Sequence, residues 1–225
     1  MKASGNDTRG RAGRRAATLA TALPSPWAPR GERARQRELK RDAVIAAAAR
    51  AFRERGYHNT TLDDIAAFLN VTKPTIYYYL SNKEQIVYEC FRAGIGRITE
   101  ALDDLERAPG RGRDKLAGLM QRYAEVMASD FGWCMVRVED HELSPAIARR
   151  IKQLKSQIDQ GLRRLLQSGT ADGSIRACDP KMTAFALAGA LNWIGQWYRE
   201  GEALAPAEIA QRFCEVFLEG LVPRS

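Results

Sequence analysis

Apolar residues recur at three- and four-residue spacing along most of the chain, and no stretch of any length alternates as a β-strand does. The first clear stripe follows Glu32 and consists of Val44, Ile45, Ala48, Ala51 and Phe52. Gly56 closes this segment, because glycine readily adopts the left-handed conformation that ends a helix. The pattern therefore predicts an all-α protein whose first long helix ends at Gly56.

Two short helices joined by a tight turn are predicted next. Thr61 is the expected N-cap of the first, which runs from Leu62 to Leu69, because its hydroxyl can accept a hydrogen bond from a free backbone N–H. Asn70-Val71 supplies the turn. Thr72 is the expected cap of the second helix, which runs from Lys73 to Leu80. Two short helices in this arrangement are typical of a helix-turn-helix, whose second helix enters a DNA major groove.

The second short helix divides into a core face and an outer face. Ile76 and Leu80 share one side, with Val71 behind them, and are expected to be buried. Three consecutive tyrosines span too wide an arc to be buried together, so some must face solvent or a ligand. The outward residues of the N-terminal half, which meets base edges, are Thr72, Lys73, Pro74, Thr75, Tyr77 and Tyr78.

The rest of the chain has helical periodicity interrupted by turn-forming residues. Ser81 to Glu84 has the pattern of a capping box and predicts the start of a fourth helix. Asp179-Pro180 predicts a strong start for a helix over 181–199, with aspartate as cap and proline in the first position. The last helix is expected from Pro206 to about Leu221.

The net charge of +8 indicates a polyanionic partner, and it is unevenly distributed. Residues 1–35 carry eight lysines and arginines against two acids, a net charge of +6, which leaves +2 for the rest. Residues 1–31 are rich in Gly, Ala, Pro and Arg and are predicted to form a disordered basic arm. The arm either keeps the chain soluble or tracks phosphates and the minor groove. Arg14-Arg15 resembles a twin-arginine export signal, but the Ala- and Thr-rich residues that follow are too weakly apolar for one.

Four cysteines are scattered without a C-x-x-C pair, as expected for reduced thiols in a cytoplasmic protein, and neither a disulfide framework nor a zinc site is predicted. No cofactor or metal is expected. No apolar run reaches the length of about 18 to 20 residues that a membrane span needs, so no membrane partner is expected.

The stretch from Gly56-Tyr57 through Leu69-Asn70-Val71-Thr72-Lys73-Pro74-Thr75-Ile76-Tyr77-Tyr78-Tyr79-Leu80-Ser81-Asn82-Lys83-Glu84 resembles the DNA-binding domain of TetR-family regulators. The resemblance covers residues 36 to 90. It implies that Lys73, Pro74, Thr75 and Tyr78 lie near bases, and that Thr61, Tyr77, Tyr79 and Lys83 contact phosphates. Two positions depart from the family pattern: Asn70 replaces the common turn glycine, and Leu80 replaces a phenylalanine. Both are tolerable, because asparagine also visits the left-handed region and leucine is still apolar.

The resemblance also implies a three-helix DNA-binding domain at 32–84 and a larger helical domain at 85–225 for effector binding and dimerisation. The last two long helices are expected to form a four-helix bundle across a two-fold axis, and a palindromic operator follows from that symmetry. The residues expected to pack there are Ala184, Ala188, Leu191, Phe213 and Phe217.

A second resemblance concerns the effector. The segments 189–199 and Glu142-Leu143-Ser144-Pro145 are similar to regulators that respond to acyl-CoA thioesters. A pocket with aromatic and aliphatic walls is therefore expected, with CoA phosphates near arginines such as Arg149, Arg150 or Arg199. Free fatty acids, aromatic acids and hydrophobic drugs are the alternative effectors. Simple core filling is the alternative for the pocket candidates, which are Phe91, Phe131, Trp133, Met135, Asn192, Trp193 and Trp197.

Two other classes of protein compete with a ligand-responsive repressor. Glu139-Asp140-His141-Glu142 crowds acids around a histidine and could form an enzyme's acid/base or metal site. Four consecutive residues of a helix point in different directions, however, and no catalytic motif accompanies them, so no enzyme is expected. A nucleoid-type protein that binds DNA without sequence preference is the other class, because of the basic arm.

Overall fold

The computed structural model describes residues 30–201 and 204–220. The predicted arm lies outside the described residues, except for Arg30 and Gly31, which already belong to the first helix. The chain divides into two units, residues 1–37 and 38–225. The described part of the first unit is helical, with solvent-exposed side chains from 31 to 37.

Nine α-helices account for most of the described residues, in which no strand occurs. They are α1 (Arg30–Arg55), α2 (Leu62–Phe68), α3 (Lys73–Tyr79), α4 (Lys83–Arg107), α5 (Gly112–Met127), α6 (Asp130–Arg137), α7 (Pro145–Ala171), α8 (Pro180–Trp197) and α9 (Pro206–Cys214). A 3-10 helix covers Asp140–Glu142, and a π-helix covers Glu215–Glu219. The all-α fold, with a helix-turn-helix followed by a larger helical region, is confirmed.

The helix-turn-helix is built on the apolar stripe of α1. All five predicted stripe residues are buried, and they join a core with Ile65 of α2 and with Ile76 and Leu80, which are at most 1% exposed. Gly56 ends α1 with φ of +84°, as the sequence predicted. Val71 is the exception, because its side chain is 37% exposed and not buried behind Ile76.

In the larger helical region, α4 packs against α5, α6 and α7, and α5 packs in addition against α8 and α9. The predicted start of α8 is confirmed, because the Asp179 carboxylate accepts hydrogen bonds from the N–H groups of Lys181 and Met182. No helix within the described ranges is both long and apolar enough to cross a bilayer.

The start of α4 differs from the prediction by one residue. The capping box is not formed by Ser81 and Glu84: the side chain of Asn82 accepts from the Gln85 N–H at 2.8 Å, and Gln85 Oε1 accepts from the Ser81 N–H at 2.8 Å. Serine and asparagine are both good caps, and glutamate and glutamine both complete a box. The sequence is therefore compatible with a helix capped by Ser81 and with one capped by Asn82. Glu84 is thereby left for another contact.

Helix α8 has two apolar faces, and its residues that were expected to pack across the two-fold axis lie on the inner one. Ala184 and Leu191 are fully buried in the chain's own core. The exposed face, here called the α8 stripe, consists of Met182 (60% exposed), Phe185 (51%), Gly189 and Trp193 (63%).

The last predicted helix is found, but it changes from α-helix to π-helix after Cys214. Helix α9 ends at Cys214, and a π-helical turn carries Phe217 and Leu218 before the chain turns at Gly220, where φ is +85°. Leu221 lies outside the described residues. Phe217 is 37% exposed and Phe213 is half-buried.

Candidate nucleic-acid interface

Helix α2 begins at a complete capping box. Thr61 Oγ1 accepts from the Asp64 N–H at 3.2 Å, and Asp64 Oδ2 accepts from the Thr61 N–H at 2.8 Å. The Asp64 carboxylate also contacts the Arg55 guanidinium at the end of α1. The hydroxyl and backbone bonds from Thr61 are the main reasons that the pKa of Asp64 is lowered. The cap predicted at Thr61 is confirmed, and it fixes the exposed N-terminus of α2.

The turn between α2 and α3 is fixed by its own hydrogen bonds. Asn70 has φ of +52°, the left-handed conformation expected for it. The Asn70 N–H donates to the Ala67 carbonyl at 3.1 Å and the Val71 N–H to the Ala66 carbonyl at 3.0 Å, which together form a Schellman motif. The turn thereby sets where α3 begins relative to α2.

Helix α3 presents one face to solvent while the other anchors it. Tyr77 is 49% exposed and Tyr78 63% exposed, whereas the half-buried Tyr79 packs against the core and meets the Tyr78 ring at 4.9 Å between centroids. Thr72 is the N-cap residue, but its hydroxyl bonds to the Thr75 hydroxyl at 3.0 Å and not to a backbone N–H. The residues of the outer face, here called the recognition face, are Thr72, Lys73, Pro74, Tyr77 and Tyr78, with Thr75 half-buried at its edge.

Lys73 is held by a neighbour on α2. Its Nζ donates to Asp63 Oδ2 at 2.8 Å, and this hydrogen bond is the main reason that the pKa of Lys73 is raised. Both side chains are exposed, at 43% and 64%, so solvent screens the pair and it is weak. A phosphate or a base edge can therefore compete for this ammonium group.

Lys83 has partners that the sequence analysis did not foresee. Its Nζ donates to the His58 carbonyl at 3.3 Å and lies 4.3 Å from the centre of the Tyr57 ring. Burial lowers the pKa of this half-buried amine. A carbonyl and an aromatic ring therefore stabilise the charge of this lysine at the helix N-terminus before any phosphate is bound.

Several polar contacts join this interface to the larger helical region, and three of them involve residues 130–144. The Glu84 carboxylate accepts from the Ser144 N–H at 2.8 Å. His58 Nε2 contacts the Glu142 carboxylate. Arg53 of α1 pairs with Asp130 of α6 at 3.0 Å. The Glu139–Glu142 segment, considered above as an enzyme site, thus includes a residue that touches the DNA-binding part of the chain.

The seven residues expected to form an effector pocket are not gathered around one cavity. Phe91, Phe131 and Met135 are packed in the core, and the Asn192 carboxamide accepts from the Tyr123 hydroxyl at 2.9 Å. Trp133 borders a small pocket with charged walls between α1, α6 and the α8–α9 loop. Trp193 and Trp197 are exposed in the single chain, so the expectation that Trp193 forms an interior wall is wrong for this conformation.

Sequence reasoning missed Asp63 as the partner of Lys73 and His58 as the partner of Glu142. Each pair lies on different elements, 10 and 84 residues apart in the chain, so helical spacing carried no signal for it. Within the described part of the chain, no three His, Cys, Asp or Glu side chains are grouped closely enough to hold a metal ion.

These features together are those of a helix-turn-helix DNA-binding regulator. The hydrogen-bonded turn leads into a short helix that is anchored in the core and exposes a lysine and two tyrosines, and a larger helical region follows. Comparison with known families agrees. The family described as bacterial regulatory proteins of the tetR family matches residues 44–90. The family described as the tetracyclin repressor-like C-terminal domain matches residues 109–221, half of the chain. The chain therefore belongs to the TetR family of transcriptional regulators, and it is a DNA-binding protein and not an enzyme.

Relatives with known names agree with this assignment. The HTH-type transcriptional repressor KstR2 of Mycolicibacterium smegmatis is 27% identical over 192 residues, which cover 81% of this chain and 90% of the relative. The structure of PfmR, a TetR family regulator from Thermus thermophilus, is similar with a TM-score of 0.73 at 25% identity, covering 80% of this chain and 99% of that one. AibR, solved in complex with isovaleryl coenzyme A and operator DNA, is similar with a TM-score of 0.69 at 23% identity, covering 81% and 100%.

Proposed function

We propose that this protein is a repressor that binds a palindromic operator as a homodimer and is released by a small hydrophobic effector. The observation that carries the proposal is the recognition face, on which Lys73, Tyr77 and Tyr78 are exposed while Ile76 anchors the same helix in the core. Each α3 then reads one major groove, with Lys73, Pro74, Thr75 and Tyr78 near bases. Backbone phosphates are bound by Thr61, Tyr77, Tyr79 and Lys83.

The α8 stripe supports association into a dimer. Exposed apolar patches on a monomer mark protein interfaces, and Met182, Phe185 and Trp193 are all more than half exposed. The stripe follows the i, i+3, i+7, i+11 positions of one helix face, so a second copy of α8 can cover it along its length. Val216 and Phe217 of the π-helix expose further apolar area. Two-fold symmetry then places the two recognition helices about 34 Å apart or somewhat more, as a palindrome requires.

Release follows from contacts between the DNA-binding part and the larger region. An effector displaces operator only if it binds the released conformation more tightly, so it must act on an element that moves α3. Helix α4 begins beside α3 and continues into the larger region. Glu84 ties the start of α4 to Ser144, and His58 ties the segment between α1 and α2 to Glu142. A shift of α6 or α7 is thereby passed to the recognition face.

An acyl-CoA thioester is the effector we propose. AibR, a structural neighbour, was solved with isovaleryl coenzyme A and operator DNA. The test is a gel-shift titration of the operator complex with thioesters and free acids of equal chain length. Release by the thioesters supports the proposal. Release by the free acids alone, or by neither series, contradicts the thioester while leaving the repressor proposal to stand on operator binding.

A further inference from the structure

A cavity of about 480 Å³ lies between the first turns of α5, the end of α7, the α7–α8 loop, the start of α8 and the π-helix. Its volume falls within the range of about 300 to 1,000 Å³ typical of small-molecule sites. None of the seven residues expected to form the effector pocket lines it. The cavity therefore has no role in the function proposed so far.

The cavity wall is largely hydrocarbon. Leu116, Leu166 and Leu187 come from three different helices and are each about 1% exposed. Ile175 of the loop and Leu218 of the π-helix complete the apolar lining. Such a wall stabilises an aliphatic or fused-ring group by removing its surface from water, and it offers little to a polar ligand.

The wall is also preformed. The Asp172 carboxylate accepts from the Gly112 N–H at 2.7 Å and from the Ser174 N–H at 2.8 Å, and the Ser174 hydroxyl accepts from the Arg113 N–H at 3.0 Å. These bonds fasten the α7–α8 loop to the start of α5. A Cβ added to Gly112 would lie 2.3 Å from the Gly169 Cα, so the two helices are in backbone contact there. A ligand therefore spends little of its binding energy on ordering the site.

The charges at the rim favour an anion. Arg176 is exposed and forms no ion pair or hydrogen bond with any residue in the described ranges. Arg113 also lines the cavity and pairs with Glu219 at 3.4 Å. The two acids of the loop are occupied, because Asp172 and Asp179 accept backbone N–H groups at the starts of α5 and α8. An oxyanion near Arg176 meets a cation to which no carboxylate of residues 30–201 or 204–220 is bonded.

We propose that this cavity binds the effector, an amphiphile whose apolar chain fills it and whose anionic head group, a carboxylate or a phosphate, is bound by Arg176. The inference rests on the function proposed above and specifies its site. The cavity also touches α8 through Thr183 and Leu187 and the π-helix through Phe217. The π-helix is an uncommon element that often occurs at functional sites. Occupancy thus acts on the two elements that carry the exposed apolar surface of the proposed dimer.

The first experiment measures binding to the full chain by isothermal titration, with decanoyl-CoA, decanoate and decanol as matched probes. We expect the two anionic probes to bind at least about tenfold more tightly than decanol, because charge-assisted hydrogen bonds to a guanidinium are strong. The comparison of decanoyl-CoA with decanoate distinguishes a phosphate head group from a carboxylate. Equal binding of decanol, or no binding by any probe, overturns the proposal.

Two variants locate the site. Arg176→Glu should weaken binding of the anionic probes about tenfold or more by reversing the charge at the head group. Arg149→Glu is the matched control on α7, since Arg149 is also exposed but does not line the cavity. Cys178→Trp places an indole in the cavity and should abolish binding while leaving operator binding without effector unchanged. If Arg149→Glu weakens binding and Arg176→Glu does not, the site is wrong.

Alkylation of the wild-type chain gives a reading that does not depend on the folding of a variant. Cys178 lines the cavity, whereas Cys214 is half-buried and lies outside it. Saturating probe should slow modification of Cys178 by iodoacetamide severalfold and leave Cys214 unaffected. A chain ending at Gly220 that binds probe when the full chain does not would mean that residues 221–225 fill the cavity, which overturns the proposal.

The same probes separate failure of the site from failure of the proposed function. If they release operator from wild type, Arg176→Glu and Cys178→Trp alike, the repressor stands and the cavity is not its effector site. If they bind in the cavity and protect Cys178 but operator remains bound, the site stands and its role in release is wrong.

Discussion

The protein exposes aromatic side chains on two surfaces of opposite chemistry. On the recognition face, Tyr77 and Tyr78 carry hydroxyl groups and share the exposed side of α3 with Lys73. On the α8 stripe, Phe185 and Trp193 stand beside Met182 and Gly189, and the indole N–H is the only side-chain hydrogen-bond donor among them. The aromatic side chains of the two surfaces are exposed to a similar extent, so exposure by itself does not identify the partner. The polar atoms beside them distinguish the two surfaces: the recognition face suits phosphates and base edges, and the α8 stripe suits another apolar surface.

A charge placed on the α8 stripe tests most strongly whether this surface is a protein interface. Phe185→Glu should convert the proposed dimer to a monomer, because a carboxylate without a partner would be buried between two copies. We expect a loss of about 3 kcal/mol or more in association, over a hundredfold in the dissociation constant. Sedimentation equilibrium measures the mass, and operator affinity should fall in parallel. A variant that remains dimeric at micromolar concentration would show that the stripe is not the interface.

Substitutions on the recognition face should have the next largest effect. Lys73→Ala and Tyr78→Ala should each weaken operator binding by roughly 1 to 3 kcal/mol, while random DNA is bound nearly as before. Asp63→Asn is the matched control, because it removes the carboxylate that holds Lys73 at 2.8 Å and should strengthen binding slightly. Fluorescence anisotropy on both DNAs gives the two affinities. Equal losses on both would reassign these side chains to phosphates.

Lys83 tests the phosphate contacts at the edge of the same face. Lys83→Ala should weaken binding to every sequence and reduce the slope of log affinity against log salt concentration by about one. Because Nζ already contacts the His58 carbonyl and the Tyr57 ring, thermal unfolding must be measured alongside. A lower melting temperature with an unchanged salt slope would assign Lys83 to local structure.

A pair of glycines gives the smallest and sharpest test. Gly96 of α4 and Gly189 of α8 are helical, and a Cβ added to either meets nothing within 4 Å in the single chain. Alanine at either position should stabilise the helix by about 0.5 to 1 kcal/mol. If a second copy packs on the stripe, only Gly189→Ala should also weaken association. The dissociation constant of the dimer is measured by dilution for both variants. Equal dissociation constants would argue against close packing at Gly189.

Local signals in the sequence predicted most of the helix-turn-helix. Thr61, Asn70 and the stripe of α1 act through neighbours a few residues away, so capping and periodicity rules applied to them directly. Helix α8 was different, because apolar residues occupy two of its faces. Ala184 and Leu191 face the core while Phe185 and Trp193 face solvent, and periodicity alone does not say which face meets the core.

The candidate sites differ in the same way. The exposed residues of α3 were predictable because one helix carries them, with Ile76 and Leu80 marking the opposite side. The cavity beside Arg176 could not be predicted from the sequence, because its wall is assembled from five elements: α5, α7, α8, the α7–α8 loop and the π-helix. Aromatic content pointed instead to Trp193, which is on the surface. A cavity depends on tertiary packing between distant segments, and one sequence contains no direct record of that packing.

The contacts of Glu84 with Ser144 and of His58 with Glu142 have a consequence for building hybrid regulators. A graft that moves only residues 38–84 onto another family member would leave His58 without the Glu142 carboxylate and Glu84 without the Ser144 amide. The transferable module is therefore discontinuous, and it includes the short segment 139–144 together with the DNA-binding helices. Sensors assembled with that segment should keep their response to effector, whereas those joined at a single point after α3 should bind operator but respond weakly.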